Sequence, residues 1–456
     1  MSHDRPFLRI ANGQGFWGDS IDAPVHLVER GGIDFLTLDY LAEVTLSIMQ
    51  RQRLKNPESG FARDFVELFG RILPACQAQG IRVVTNAGGV NPRACREALG
   101  KAAAKLGRTV RVGVIEGDDI LGRIAELEAA GADFRNLETG ESFDAVRGRI
   151  SSANVYIDSF CIAEALDKGA EVVLAGRVSD PGLALGPLVH AFGWGRAEWD
   201  LLAAGTLAGH VTECGAQCSG GNHSRWWEVP QLAEIGYPVV EVASDGSFVV
   251  TKQPGTGGMV TRETVAEQIL YEMGDPRNYI SPDTRVDFTS FILAEESRDR
   301  VRISGVKGLP ATDTYKVSFS YHAGWKAHGQ LTISGPRALR KARLTAEIIW
   351  KRLEQAGCRF EHSSTEYLGV STCHPGVQAE PEQVNEVVLR LGVRDASTAM
   401  VERFGKELAP VITNGPSGIT GFAGGRPKPQ EIIAYWPALV PKRLIQTQVS
   451  VEEAGA

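Results

Sequence analysis

The sequence predicts an α/β fold: an open, mostly parallel sheet in an N-terminal domain, followed by a smaller α+β C-terminal domain. Three observations carry this expectation. Short apolar runs alternate with helix-length segments through the first half of the chain. Nearly every such run ends in a polar or glycine-rich loop. Beyond residue 280, alternating strand-like runs come first and helical patterns are grouped after them. At 456 residues the chain exceeds what one hydrophobic core usually supports, so two domains are expected, 1–280 and 281–456.

In order, the apolar runs are Phe7–Ala11, Phe35–Leu38, Ile81–Thr85, Val110–Ile115, Val155–Asp158 and Glu171–Ala175, with helical patterns between them. Strands separated by helices pair in parallel through crossovers. The loops after them carry Gly13 and Gly15, Asp39, Asn86, Glu116 to Asp119, Asp158, and the turn Gly176-Arg177-Val178-Ser179-Asp180-Pro181. In a parallel sheet these loops share the carboxyl edge, where open α/β folds bind ligands. Ser244-Asp245-Gly246 between Tyr237–Val242 and Ser247–Thr251 predicts a short hairpin. Later, Tyr315–Tyr321 and Gly329–Ser334 read as a second hairpin with His322, Trp325, Lys326 and His328 at its tip. Helices are expected near Arg337–Ala356, Pro381–Leu391 and Ala396–Leu408.

Composition narrows the function classes. A formal net charge of −7 gives no footprint for nucleic acid or an anionic membrane. No apolar run approaches the roughly 18 residues of a membrane span. Seven scattered cysteines without a C-x-x-C pair, and no secretory pattern near Met1, predict reduced thiols in a cytoplasmic chain. The 51 glycines among 456 residues exceed the usual share of about 7%. Many fall in loops where backbone approaches a ligand or turns with positive φ. The expected partners are a small-molecule substrate and further copies of the chain in a homo-oligomer.

The candidate chemistry lies between Val172 and Gly221. If Leu201–Gln217 is helical, His210, Glu213, Cys214 and Gln217 share a face. His210 and Glu213 then form a general acid/base pair, two ligands of a metal, or a polar helix end beside a glycine turn. Arg177 and Asp180 either hold each other or serve an anionic substrate and a proton transfer. Taken alone, Asp39, Asn86 and Asp158 are helix caps or loop braces, and by position they are candidates for binding substrate. Gly13-Gln14-Gly15 lacks the third glycine of a dinucleotide fingerprint. Arg426 and Lys428 flank flexible backbone suited to phosphates, or to a tight turn between domains or subunits.

Several of these stretches also carry a resemblance. G-R-V-S-D-P-G-L-A-L-G-P-L, W-D-L-L-A-A-G-T-L-A-G-H-V-T-E-C-G-A-Q and T-G-F-A-G-G-R-P-K-P-Q resemble the acyclic terpene utilisation protein AtuA family. R-I-A-N-G-Q-G-F-W-G-D and T-N-A-G-G-V-N-P are similar to it too, and the likeness spans about Phe7 to Pro441. The resemblance implies catabolism of branched isoprenoid compounds through acyl-CoA thioesters. It points to a lyase or hydratase acting on a branched acyl-CoA or carboxylate. The strand-end loops and the helix spacing, and not the resemblance, make His210, Glu213 and Asp180 the expected catalytic residues, and Arg177, Gly13, Gly15, Asp39, Asn86, Asp158 and Arg426 the expected substrate contacts. No resident cofactor or metal is assigned, and CoA is expected only as part of the substrate. Two rivals stand beside this reading: a non-catalytic binding or assembly subunit working with a second catabolic subunit, and a metal-dependent hydro-lyase.

Overall fold

The computed structural model describes residues 6–370, 372–377, 383–421 and 424–455. The chain divides into two compact units, 1–320 with 435–456, and 321–434. Phe422 and Ala423 of the late glycine-rich motif, and Pro381 of an expected helix, lie outside the described residues.

Unit 1 opens with β1 (Phe7–Gln14), β2 (Phe35–Leu38), β3 (Arg82–Thr85) and β4 (Thr109–Glu116). After β5 (Ile150–Val155) come β6 (Val172–Leu174), β7 (Pro238–Ala243) and β8 (Phe248–Lys252). Next are β9 (Tyr279–Ile280), β10 (Arg285–Asp287), β11 (Ile292–Ser297), β12 (Arg300–Ser304) and β13 (Lys307–Leu309). The chain continues through β14 (Thr314–Ser334), β15 (His362–Leu368), β16 (Glu386–Asp395), β17 (Ile419–Gly421), β18 (Gln430–Pro441) and β19 (Gln448–Gly455).

The large sheet has the order β11-β12-β8-β7-β1-β2-β3-β6-β4-β19. Its centre, β1-β2-β3-β6-β4, is parallel, as alternating strands and helices require. The sheet as a whole is mixed, which corrects the expectation of a mostly parallel one. β7, β8, β12 and β11 join antiparallel to one another and to β1, and β19 pairs antiparallel with β4. Short turns such as Ser244-Asp245-Gly246 leave no room for the crossover a parallel pair needs. The helices 23–30, 63–79 and 92–105 cover one face, where Phe65, Phe69, Ile72 and Leu99 pack on Leu36, Val83 and Val112. The helices 160–167, 182–192 and 199–213 pack in sequence elsewhere on the sheet.

Two further expectations are corrected. Val155–Asp158 was expected as a strand of the large sheet, yet β5 ends at Val155 and pairs with β14 instead. Ile157 still bridges Val178 in parallel beside the Arg177 turn, so Asp158 stays next to that edge while its side chain is taken up by Tyr315 and Arg196. The hairpin expected around His322–His328 is the middle of one 21-residue strand, β14. Gly324, at φ +96°, allows an irregular step there without a turn.

In unit 2 the strand order is β15-β16-β14-β17, all pairs antiparallel. Helices 338–355 and 398–407 cover its core of Ile333, Leu389, Leu391, Ile349 and Phe404. The helix expected at Pro381–Leu391 is replaced by β16, whose Val387, Leu389, Leu391 and Val393 are buried at every second position. Their period of two fits a half-buried strand, and it prevailed over the helix-forming Glu, Leu and Arg residues among them. Among the described residues, no helix is long and apolar enough to cross a membrane.

Candidate active site

The parallel centre sets the site. Gln14, Leu38, Thr85 and Leu174 lie in neighbouring register at the carboxyl ends of β1, β2, β3 and β6. Gly15, Asp39, Asn86 and Arg177 follow within a few residues, so four distant segments converge on one edge. The parallel registry, more than any single loop, brings these groups together.

Arg177 forms the floor and is among the largest fully buried side chains, at 1% exposure. Its backbone N–H donates to Asp118 Oδ2 at 2.7 Å, and that carboxylate also accepts from Asn154 at 2.9 Å. Its Nη1 donates to the Leu41 carbonyl at 2.8 Å, and Nη2 donates to Asp180 Oδ2 at 3.1 Å. The guanidinium stacks on the Tyr156 ring, 4.1 Å from its centroid. Tyr156 donates its hydroxyl to Glu43 at 2.7 Å, and Lys316 Nζ stands 3.8 Å from the same carboxylate. Burial alone would raise the Glu43 pKa, but the Arg177 cation and the Tyr156 hydroxyl outweigh it and hold Glu43 ionised below its ordinary range.

Asp39 is enclosed a short way off. Its Oδ1 accepts from Asn86 Nδ2 at 2.7 Å and from the Leu41 N–H at 3.1 Å. Asn86 is itself fixed, since its side-chain oxygen accepts the Tyr40 N–H at 2.7 Å. Burial raises the Asp39 pKa well above the usual value, and the nearby Asp180 charge adds to it. Burial also raises Asp180, with Arg177 opposing. The Asp180 side chain keeps 35% of its surface open, so solvent tempers the shift.

Helix 199–213 brings a further acid, Glu213. His210 Nδ1 lies 2.9 Å from Glu213 Oε1, while its Nε2 lies 3.2 Å from the Ile269 carbonyl. A carbonyl only accepts, so Nε2 carries a hydrogen and one proton is shared between Nδ1 and Glu213. Tyr279 and Phe288 enclose the imidazole, with ring centroids 5.5 and 5.4 Å away. Burial raises the Glu213 pKa to about 7 against the pull of His210, and among the described residues the buried Oε2 of Glu213 has no hydrogen-bond partner. Burial would lower His210, but Glu213 raises it overall. Cys214 is pushed up to about 12 by burial, so it stays a thiol.

The end of β1 spans the gap between these acids. The Gln14 carbonyl accepts the Asp39 N–H at 2.9 Å. The next residue, Gly15, presses on the helix end: a Cβ there would stand 2.6 Å from backbone atoms of Cys214 and Gly215 and 2.8 Å from the Glu213 carbonyl. Gly13 likewise lets the strand approach Pro24 and Leu38. Both glycines thus serve close packing that sets Asp39 and Glu213 apart at a fixed spacing.

Of the expected site residues, Gly13, Gly15, Asp39, Asn86, Arg177, Asp180, His210 and Glu213 are gathered in this cleft. Asp158 lies in another cluster, accepting from Tyr315 at 2.7 Å and Arg196 at 3.2 Å beside the buried Asp283. Arg426 lines a cavity of unit 2. Sequence reading missed Tyr156, Lys316, Asn154 and Tyr279 as members of the cleft. The one signal available for Tyr156 was its place within the apolar run Val155–Asp158. Among the described residues, no group of three or more His, Cys, Asp and Glu side chains is disposed to hold a metal ion.

The fold and the cleft define an α/β protein with a buried acid–base cluster at the carboxyl edge of its parallel strands. The family model described as acyclic terpene utilisation family protein AtuA matches residues 8–451, nearly the whole chain, and the protein belongs to that family. Membership associates it with acyclic terpene utilisation. No curated protein and no solved structure matches it.

Proposed function

We propose that the protein is an enzyme of acyclic terpenoid catabolism that removes water from, or adds it to, a branched acyl-CoA or carboxylate. The observation that carries this reading is the pair of enclosed carboxyl groups, Asp39 and Glu213, held on either side of the Gln14-Gly15 turn with both pKa values raised. Elimination of water beside a carbonyl needs one group that accepts a proton from carbon and another that gives one to the departing hydroxyl. Glu213, poised near neutrality with its Oε2 unpaired among the described residues, takes the carbon-bound proton. Asp39, kept neutral by burial, donates its proton as the C–O bond breaks, and water leaves. The reverse sequence hydrates a double bond.

His210 acts on Glu213, since both its ring nitrogens are engaged, and adjusts the basicity of that carboxylate. Arg177 has its Nη atoms committed to Asp180 and Leu41, so it is a positioning residue that sets the field around Asp180 and Tyr156. Lys316, 42% exposed at its side chain, is the cation beside Glu43 suited to meet an anionic substrate group.

The test is turnover of a branched 3-hydroxyacyl-CoA and of the free acid by the purified protein, with Asp39→Asn and Glu213→Gln beside it. Loss in both variants supports the reading, and wild-type turnover in both removes it. The second reading, a non-catalytic subunit, draws on one observation: Val44, Ile48 and Leu54 are exposed along the helix 43–55. It predicts activity only after a second polypeptide is added.

A further inference from the structure

Unit 2 contains a cavity of about 720 Å³ bounded by the His328–Leu331 stretch of β14, the segment around Leu408–Ile412 and the loop Gly424–Lys428. Among the described residues, three basic side chains line it, Arg426, Lys428 and His328, and no carboxylate does. Among the described residues, neither Arg426 nor Lys428 has a hydrogen-bond or ion-pair partner. Nearby cations differ: Arg403 and Arg352 share Glu407, at 2.8 and 3.9 Å, and Arg390 is paired with Glu366. Two like charges two residues apart without a counter-charge repel each other, and a bound anion relieves that repulsion.

The loop bearing these cations is pinned. A Cβ on Gly329 would stand 2.8 Å from the Pro427 ring, and one on Gly405 would overlap the Pro427 carbonyl. β14 and the helix 398–407 therefore hold Pro427 from two sides, with Arg426 and Lys428 on either side of it. The charge of the whole unit runs the same way. Residues 321–434 carry 14 basic and 11 acidic residues, whereas the rest of the chain carries 34 and 44. The cavity is thus a cationic site in an otherwise anionic protein.

Its size and remaining walls narrow the ligand. Leu331, Leu408 and Ile412 give it an apolar side. Its volume falls within the roughly 300–1,000 Å³ of sites for small organic molecules, which a lone inorganic anion would leave mostly empty. A phosphate dianion matches two adjacent cations, one of them a planar guanidinium suited to paired oxygens. We propose that this cavity binds an organic phosphate, its phosphoryl group at Arg426 and Lys428 and its apolar or ring-bearing body against Leu331, Leu408 and Ile412. The proposal is independent of the chemistry at Asp39 and Glu213.

Calorimetric titration of the full chain tests it with four ligands: coenzyme A, an acyclic isoprenyl diphosphate, and the corresponding phosphate-free compounds, pantetheine and the isoprenyl alcohol. Binding of coenzyme A assigns a nucleotide phosphate, and binding of the isoprenyl compound assigns a prenyl diphosphate. In either case the double variant Arg426→Ala/Lys428→Ala weakens affinity by about tenfold or more. Arg340→Ala, which removes an exposed charge of the same unit outside the cavity, leaves affinity unchanged. Both cavity cations are exposed, so an unchanged thermal midpoint shows that the double variant remains folded. The proposal is overturned if neither phosphate binds, if the phosphate-free compounds bind as tightly, or if the double variant binds like the wild type.

Discussion

His210 Nδ1 and Glu213 Oε1 stand 2.9 Å apart on one turn of a helix, and the Ile269 carbonyl at 3.2 Å from Nε2 requires that the proton between them be shared. The pair acts as one titrating unit. The activity proposed above then rises with pH through a limb near 7, set by Glu213. Glu213→Gln is expected to lower kcat by about 10²–10⁴-fold and to abolish that limb. A pH–rate profile of the variant with its neutral limb intact would remove Glu213 from the mechanism.

Stability has its own pH dependence, of definite sign. Below its ordinary pKa of 4.5, Glu213 is protonated whether the chain is folded or not. Between there and about 7 the unfolded chain releases the proton while the folded chain keeps it, so stability falls as pH rises across this window and levels off above it. Asp283, raised by burial from 3.8 to about 7, contributes in the same direction. Thermal midpoints recorded from about pH 5 to 8 should decline less steeply in Glu213→Gln and in Asp283→Asn than in the wild type. Slopes that match the wild type in both variants would contradict the enclosed, protonated carboxyls described here.

Arg177 balances several carboxylates at once. Arg177→Met keeps much of the volume and removes the charge facing Asp180, Glu43 and Asp39, at an expected cost of about 3 kcal/mol. Adding Asp180→Asn should recover part of that loss. A double-mutant cycle by denaturant unfolding checks this, and strict additivity of the two changes would mean that the ion pair contributes nothing.

Gly15→Ala tests the spacing of the two acids. The added methyl would meet Cys214 and Gly215 backbone, which can move only with the helix end that carries Glu213. The expected destabilisation is about 1–3 kcal/mol, with a larger relative loss in kcat than in substrate affinity. Gly122→Ala, where φ is not left-handed and the added Cβ has no neighbour within 4 Å among the described residues, is the control for an added methyl without a clash.

The sequence made the parallel centre legible because alternating apolar runs and helices leave little choice of pairing, and the strand-end loops pointed to Asp39, Asn86, Arg177 and Asp180. The three-residue spacing of His210 and Glu213 was readable as one helix face. Tyr156, Lys316 and Tyr279 were not readable as site residues. They reach the cleft through β5 pairing with β14 and through packing after the helix 262–270, which are long-range contacts without a local signature. The region 322–328 was misread because glycine beside polar residues looks like a turn, whereas here Gly324 is a kink within one strand. In the segment 381–391, helix-forming residue types concealed a period of two.

β19 pairs with β4 along eight consecutive residues, from Gln448 against Glu116 to Gly455 against Thr109. The two strands are separated by about 330 residues of chain, so β4 emerges during synthesis long before its neighbour exists. Until β19 arrives, a row of backbone donors and acceptors along Val110–Ile115 is an open template for any other extended chain. Carboxyl-terminal truncation is therefore expected to act first on yield and aggregation during biosynthesis, well before it disturbs the chemistry of a finished molecule.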